Sequence, residues 1–135
     1  MIRWVGAYVL ASDHPWNQRG VVLSVAPGGS DAWRTLFSER RVEVVGSIAA
    51  EALASSAVRG HIDFTRLRAA EVAYSVCFQT NDGISLTLRG LQRMRRRAVR
   101  RSLTTFFAEI LAPGGALVAT AELRLDPLHP GHATK

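Results

Sequence analysis

Eight short runs of β-branched, aromatic and aliphatic residues, each closed by turn chemistry, limit what this chain can fold into. They span Trp4 to Leu10, Gly20 to Ala26, Val42 to Ala49, Ala57 to Phe64, Glu71 to Thr80, Ile84 to Met94, Leu103 to Leu111 and Ala116 to Leu125. Runs of this length and spacing favour an antiparallel sandwich or barrel over alternating βα units. The clearest pair flanks Asn81-Asp82-Gly83. Val72, Tyr74, Val76 and Phe78 alternate with smaller or polar residues before it, and Ile84, Leu86 and Leu88 do so after it. Period-two alternation places each set on one face of a sheet. Gly83 can take the positive φ that a tight bulged hairpin needs. Pro113-Gly114-Gly115 supplies a similar turn before Leu117, Ala119, Ala121, Leu123 and Leu125, which share one apolar face.

One segment reads as a helix. Pro27-Gly28-Gly29 breaks the second run, Ser30 or Asp31 can cap, and Trp33, Leu36 and Phe37 lie on one stripe ahead of Arg40-Arg41. The expectation is an all-β fold: an eight-stranded antiparallel barrel with one short helix. It forms a single domain over residues 1–126 with a flexible tail over 127–135. Closure removes the exposed edges an open sheet would carry. A barrel of this size is either plugged by side chains or holds one small ligand. Ala119, Ala121 and Gly90 leave space, which favours a cavity.

Composition narrows the function classes. With 47% hydrophobic and 21% charged residues the chain matches globular averages and excludes wholesale disorder. A single cysteine excludes an intramolecular disulfide and a multi-thiolate metal site. His129 and His132 have no carboxylate or thiol near them in sequence, so neither a metal nor a cofactor is expected. No apolar run reaches the roughly 18–20 residues of a membrane helix. Met1-Ile2-Arg3 and the apolar stretch to Ala11 have the outline of a signal peptide but lack a clear cleavage site. A first strand explains the same residues, and cytoplasmic residence is the expectation.

The net charge of +6 comes mostly from six arginines between Arg93 and Arg101. As a helix this block would suit nucleic acid or a membrane surface; as a hairpin its arginines cap a loop. No helix-turn-helix, zinc-finger or RNA-recognition signature accompanies it, so nucleic acid is not the expected partner.

From about Asp31 to Asp126 the order of motifs resembles a small lipocalin-like domain attached to bacterial oxidoreductases of the glucose-methanol-choline, cholesterol-oxidase-like type. The resemblance is carried by Val45-Gly46-Ser47-Ile48, Gly60-His61-Ile62-Asp63-Phe64 and Tyr74-Ser75-Val76-Cys77-Phe78 leading into Asp82-Gly83. Leu88-Arg89-Gly90-Leu91, Leu103-Thr104-Thr105 and Ala121-Glu122-Leu123-Arg124-Leu125 complete it. It implies a β-barrel with an apolar ligand and supports the hairpin reading of the arginines. It transfers no catalytic residue, and the flavin domain is absent.

Three residues are candidates for catalysis. Glu109 would become a general acid if it faced a dry lumen, because burial raises a carboxyl pKa. His61 and Asp63 share a strand face at spacing two and could act as base and orienter. Tyr74, like Tyr8, could offer its hydroxyl to a ligand. The expected ligand-binding set is Trp33 and Phe37 as a lid over the barrel mouth, with Tyr8, Phe107 and Cys77 along the wall. Cys77 reads as a small buried side chain. Two functions follow. The first is binding of an apolar or polycyclic small molecule, in its catalytic form a cofactor-free cyclase of polyketide or terpenoid biosynthesis acting by substrate preorganisation. The second is a non-catalytic accessory module docking an acidic partner through the arginine-rich loop. A homodimer fits either.

Overall fold

The computed structural model describes residues 2–28, 41–65, 71–93 and 105–126. Within them lie β1 (Ile2–Leu10), β2 (Arg19–Pro27), β3 (Arg41–Ala50), β4 (Ala54–Asp63), β5 (Glu71–Gln79), β6 (Ser85–Arg93), β7 (Thr105–Leu111) and β8 (Leu117–Leu125). Each strand pairs antiparallel with the next, and β8 returns to β1, so the sheet closes into an eight-stranded up-and-down barrel. The order follows from the hairpins. Asn81-Asp82-Gly83 sets the β5–β6 register from Glu71↔Arg93 to Gln79↔Ser85, with Gly83 at φ +84°. The helix expected around Trp33 and the block beyond Arg93 lie outside the described residues. Among the described residues no helix is long and apolar enough to cross a membrane.

Alternation sorts the side chains. Val21, Leu23 and Val25 of β2, Val42, Val44 and Ile48 of β3, and Val72, Val76 and Phe78 of β5 are buried inside. Leu86, Leu88, Phe106, Ala108, Ile110, Ala119, Ala121 and Leu123 continue the core around the barrel. Burial of a Leu, Ile or Phe side chain contributes roughly 1.5–3 kcal/mol, and this shared interior is the main source of stability.

The space expected beside small residues is occupied. A Cβ on Gly90 would stand 2.6 Å from the Phe106 ring, which fills the place a side chain would take. Ala119 and Ala121 are buried against the same core. Three other inward glycines, Gly6, Gly46 and Gly60, let a strand bend over its neighbour until backbone nearly meets backbone.

The two ends of the barrel differ. One end carries the connections at residues 11–18, 51–53, 80–84 and 112–116. It is closed by the β3–β4 turn, where the Tyr8 hydroxyl donates to the Glu51 carbonyl and the Asn81 amide donates to the Leu53 carbonyl at 3.0 Å. The opposite end gathers Ile2, Pro27, Arg41, Asp63, Glu71, Arg93, Thr105 and Leu125, the remaining strand termini.

Candidate functional site

Polar side chains are scarce among the buried residues described: Asp126, which pairs with Arg3, and Gln92, which marks a candidate site. Tyr74 on β5 and Gln92 on β6 both project inward near the second end, and the Tyr74 hydroxyl donates to Gln92 Oε1 at 2.8 Å. Gln92 is buried. Placing an amide and a phenol in an apolar interior costs free energy unless they are bonded, so the pair is held together by what surrounds it.

Aromatic rings supply those surroundings. Phe106 stacks on Tyr74 with centroids 4.6 Å apart and planes 12° from parallel. Trp4 meets Phe106 edge-on at 4.8 Å and Tyr74 edge-on at 6.0 Å. Gly90 makes the stack possible: it lies across from both Tyr74 and Ala108 in register, and its missing side chain admits the Phe106 ring. Ile2 and Phe64, partly buried, pack against this core, and Leu125 is exposed nearby at the strand end. The result is a packed aromatic cluster that holds one hydroxyl and one amide, with Ile2, Phe64 and Leu125 at its edge.

Burial pushes the Tyr74 phenol up to about 12. The group is therefore a neutral hydrogen-bond donor throughout the physiological range and not a base. Burial also raises Tyr8, with the nearby Arg19 opposing the shift. These are the chain's two tyrosines, which makes the effect measurable. An unfolded chain releases the Tyr74 proton near 10.0, whereas the folded chain keeps it to about 12. The stability tied to that buried phenol is complete below pH 10 and is lost as pH rises toward 12. Absorbance at about 295 nm should show less tyrosinate at pH 10 in the folded protein than in the unfolded chain, then a rise coinciding with loss of the β circular-dichroism signal. Independent titration of both phenols at pH 10 while the fold persists would contradict the burial.

The other expected site residues lie elsewhere. Glu109 points outward, its carboxylate 3.5 Å from the Arg89 guanidinium, with both side chains largely in solvent. Phe107 also faces out and is 67% exposed, because Phe106 occupies the inward position. Cys77 is an exposed free thiol on the outer wall, 3.6 Å from the Thr87 hydroxyl, and is not the buried side chain expected. The alternation had placed it with Ser75 and Gln79, and that face is the outer one.

His61 is on the outside of β4, with its Nε2 2.8 Å from the Arg41 guanidinium. Partial burial first, then Arg41, hold the imidazole below its usual pKa, although Asp63 and Glu43 oppose them. Asp63 does not orient the ring; its carboxylate accepts the Thr65 amide at 2.8 Å. Tyr8 lies inside but at the closed end, bonded to Glu51. Trp33 and Phe37 fall outside the described residues.

Sequence reasoning missed Gln92, Trp4 and Phe106 as partners of Tyr74. Gln92 had a signal: it continues the inward phase of Leu86, Leu88 and Gly90. Comparison with protein-family models matches none, and comparison with curated proteins yields no match either.

Proposed function

We propose that this barrel binds an apolar, ring-containing small molecule at the end that carries Tyr74 and Gln92. The supporting observation is the hydrogen-bonded Tyr74–Gln92 pair set among Trp4 and Phe106, with the apolar side chains of Ile2, Phe64 and Leu125 at the same end. Binding sites of this kind combine mostly apolar walls with a few polar groups that fix orientation. A fused-ring ketone matches that chemistry. Its rings cover Ile2, Phe64 and Leu125, and its carbonyl replaces Gln92 Oε1 as the acceptor of the single Tyr74 hydroxyl proton. Because the deeper interior is filled, the ligand sits at the mouth and not along the barrel axis. The motif-order resemblance to the barrel domain of cholesterol-oxidase-like proteins supports the same ligand class.

The catalytic form of this reading is a cyclase. Its contribution would be shape and one neutral donor, since Glu109 and His61 stand on the outer wall. Holding a flexible substrate in a reactive conformation is chemistry that such a site can perform.

Trp4 reports on the site directly. In a Trp16→Phe, Trp33→Phe background, a fused-ring ketone should quench Trp4 emission with a Kd of about 10 µM, set by ligand size. Tyr74→Phe should weaken the ketone roughly fivefold, about one neutral hydrogen bond, and leave the matching hydrocarbon unchanged. No change in Trp4 emission across a panel of polycyclic ketones and hydrocarbons would overturn the proposal.

The distribution of charge favours a second reading, the docking of an acidic partner. The connections that start and finish at the Tyr74 end carry Arg34, Arg40, Arg66, Arg68 and the arginines from Arg95 to Arg101, against Asp31 and Glu39. The connections at the closed end carry Asp13, Glu51 and Asp82 and neither lysine nor arginine. A chain polarised in this way attracts polyanions to one end. Affinity that falls steeply with added salt and with alanine at Arg95, Arg96 and Arg97 would favour this reading; salt-insensitive binding favours the ring ligand.

A further inference from the structure

The outer wall over β5, β6 and β7 is polar except for one apolar row. Ala73, Leu91 and Phe107 are register partners in one row across these strands. Leu91 is 40% exposed and Phe107 67%, so the row presents an aliphatic and an aromatic side chain to solvent side by side. A shallow depression runs along Ala73, Arg89, Leu91, Phe107, Glu109 and Thr120. A grouped aromatic and aliphatic surface of this kind on an otherwise charged wall marks a contact surface.

The charges next to the row point to the occupant. One step along the strands, Arg89 of β6 lies opposite Glu109 of β7 and pairs with it at 3.5 Å. Consider a second copy placed face to face about a two-fold axis that runs along the strands between β6 and β7. That operation sets β6 of each copy over β7 of the other. Leu91 then meets Phe107 of the second copy, and Arg89 meets Glu109 of the second copy, at both symmetry-related positions. The patch is thus complementary to itself in shape class and in charge, which is what an isologous contact requires. We infer that the chain forms a two-fold homodimer through Leu91 and Phe107, with reciprocal Arg89–Glu109 pairs fixing the register.

This inference does not depend on the proposed ligand, since the patch is on the outer wall and Tyr74 faces inward. The test is sedimentation of the full chain over a concentration series, with circular dichroism on every variant. Wild type should reach twice the protomer mass at micromolar to tens of micromolar concentration. Phe107→Asp should sediment as a monomer with an unchanged melting temperature, because the side chain is mostly in solvent already. Glu109→Arg alone, which sets arginine against arginine, should weaken association by about tenfold or more. Arg89→Glu combined with Glu109→Arg should restore it.

Each outcome decides the matter. A wild type that stays monomeric at several hundred micromolar overturns the dimer, and so does a Phe107→Asp variant that dimerises as before. A double charge reversal that fails to recover association overturns the proposed register. If the wild type stays monomeric but a chain carrying another domain covers Phe107, the patch belongs to that domain and the dimer is likewise overturned.

Discussion

Gly46→Ala should cost this protein about 4 kcal/mol or more and lower its melting temperature by roughly 15 °C. The reason is geometric. A Cβ at position 46 would lie 1.8 Å from the Ser24 carbonyl oxygen and 2.9 Å from the Val25 Cα, both on β2. Neither contact can be relieved by turning a side chain, because both atoms are backbone. β3 would have to move away from β2 over the stretch that pairs Ser24 with Ser47 and Val25 with Gly46, and those ladder bonds would be lost. A Cβ on Gly6 or Gly60 would collide in the same way with the Glu122 or Ser75 carbonyl oxygen, so alanine there should act alike. Gly114 is the control: nothing lies within 4 Å of its Cβ position. Gly114→Ala should melt within about 2 °C of wild type, the range of an innocuous surface change. Thermal melts followed at 218 nm compare the two. Equal melting temperatures for Gly46→Ala and Gly114→Ala would show that β2 and β3 do not approach as described.

Phe106→Ala should be destabilising by about 3–5 kcal/mol, the range for removing a fully enclosed aromatic side chain. Phe106 is 1% exposed and touches both Trp4 and Tyr74. Its removal opens a hollow over Gly90, which has no side chain to move into it. Tyr74 also loses its stacked partner, so the Tyr74–Gln92 hydrogen bond loses the wall that keeps it dry. Two measurements separate these consequences. Urea unfolding reads the loss of stability, and the alkaline absorbance titration should show Tyr74 ionising closer to its ordinary value. Phe107→Ala, one residue away and mostly exposed, should change stability by less than about 0.5 kcal/mol. A larger cost at Phe107 than at Phe106 would mean that the inward phase of β7 is the opposite one.

That contrast shows how far β7 could be read in advance. Its segment runs Thr104-Thr105-Phe106-Phe107-Ala108-Glu109-Ile110-Leu111, with an aromatic and an aliphatic residue in each phase. The one charged residue, Glu109, sits in the phase of Phe107 and marks it as the outer face, so an inward Glu109 with Phe107 in the ligand set is the less favoured reading of this segment. β5 has no such mixture. Val72, Tyr74, Val76 and Phe78 occupy one phase and Ala73, Ser75, Cys77 and Gln79 the other, and the apolar set faces in. Cys77 was assigned correctly to its face; its burial was not, because the face it shares with Ser75 and Gln79 is the outer wall.

The strands, their number and their hairpin order are local properties. They follow from side-chain period, turn residues and the need to leave no open edge, all of which are written along the chain. Closure of β8 onto β1 and the pairing of Tyr74 with Gln92 are not local. Residue 106 takes the inside because Gly90, on a neighbouring strand, leaves a gap the size of a ring, and that gap exists only after β6 and β7 are side by side. The same closure filled the space that small residues seemed to offer, since an absent side chain is a vacancy only until another strand packs against it.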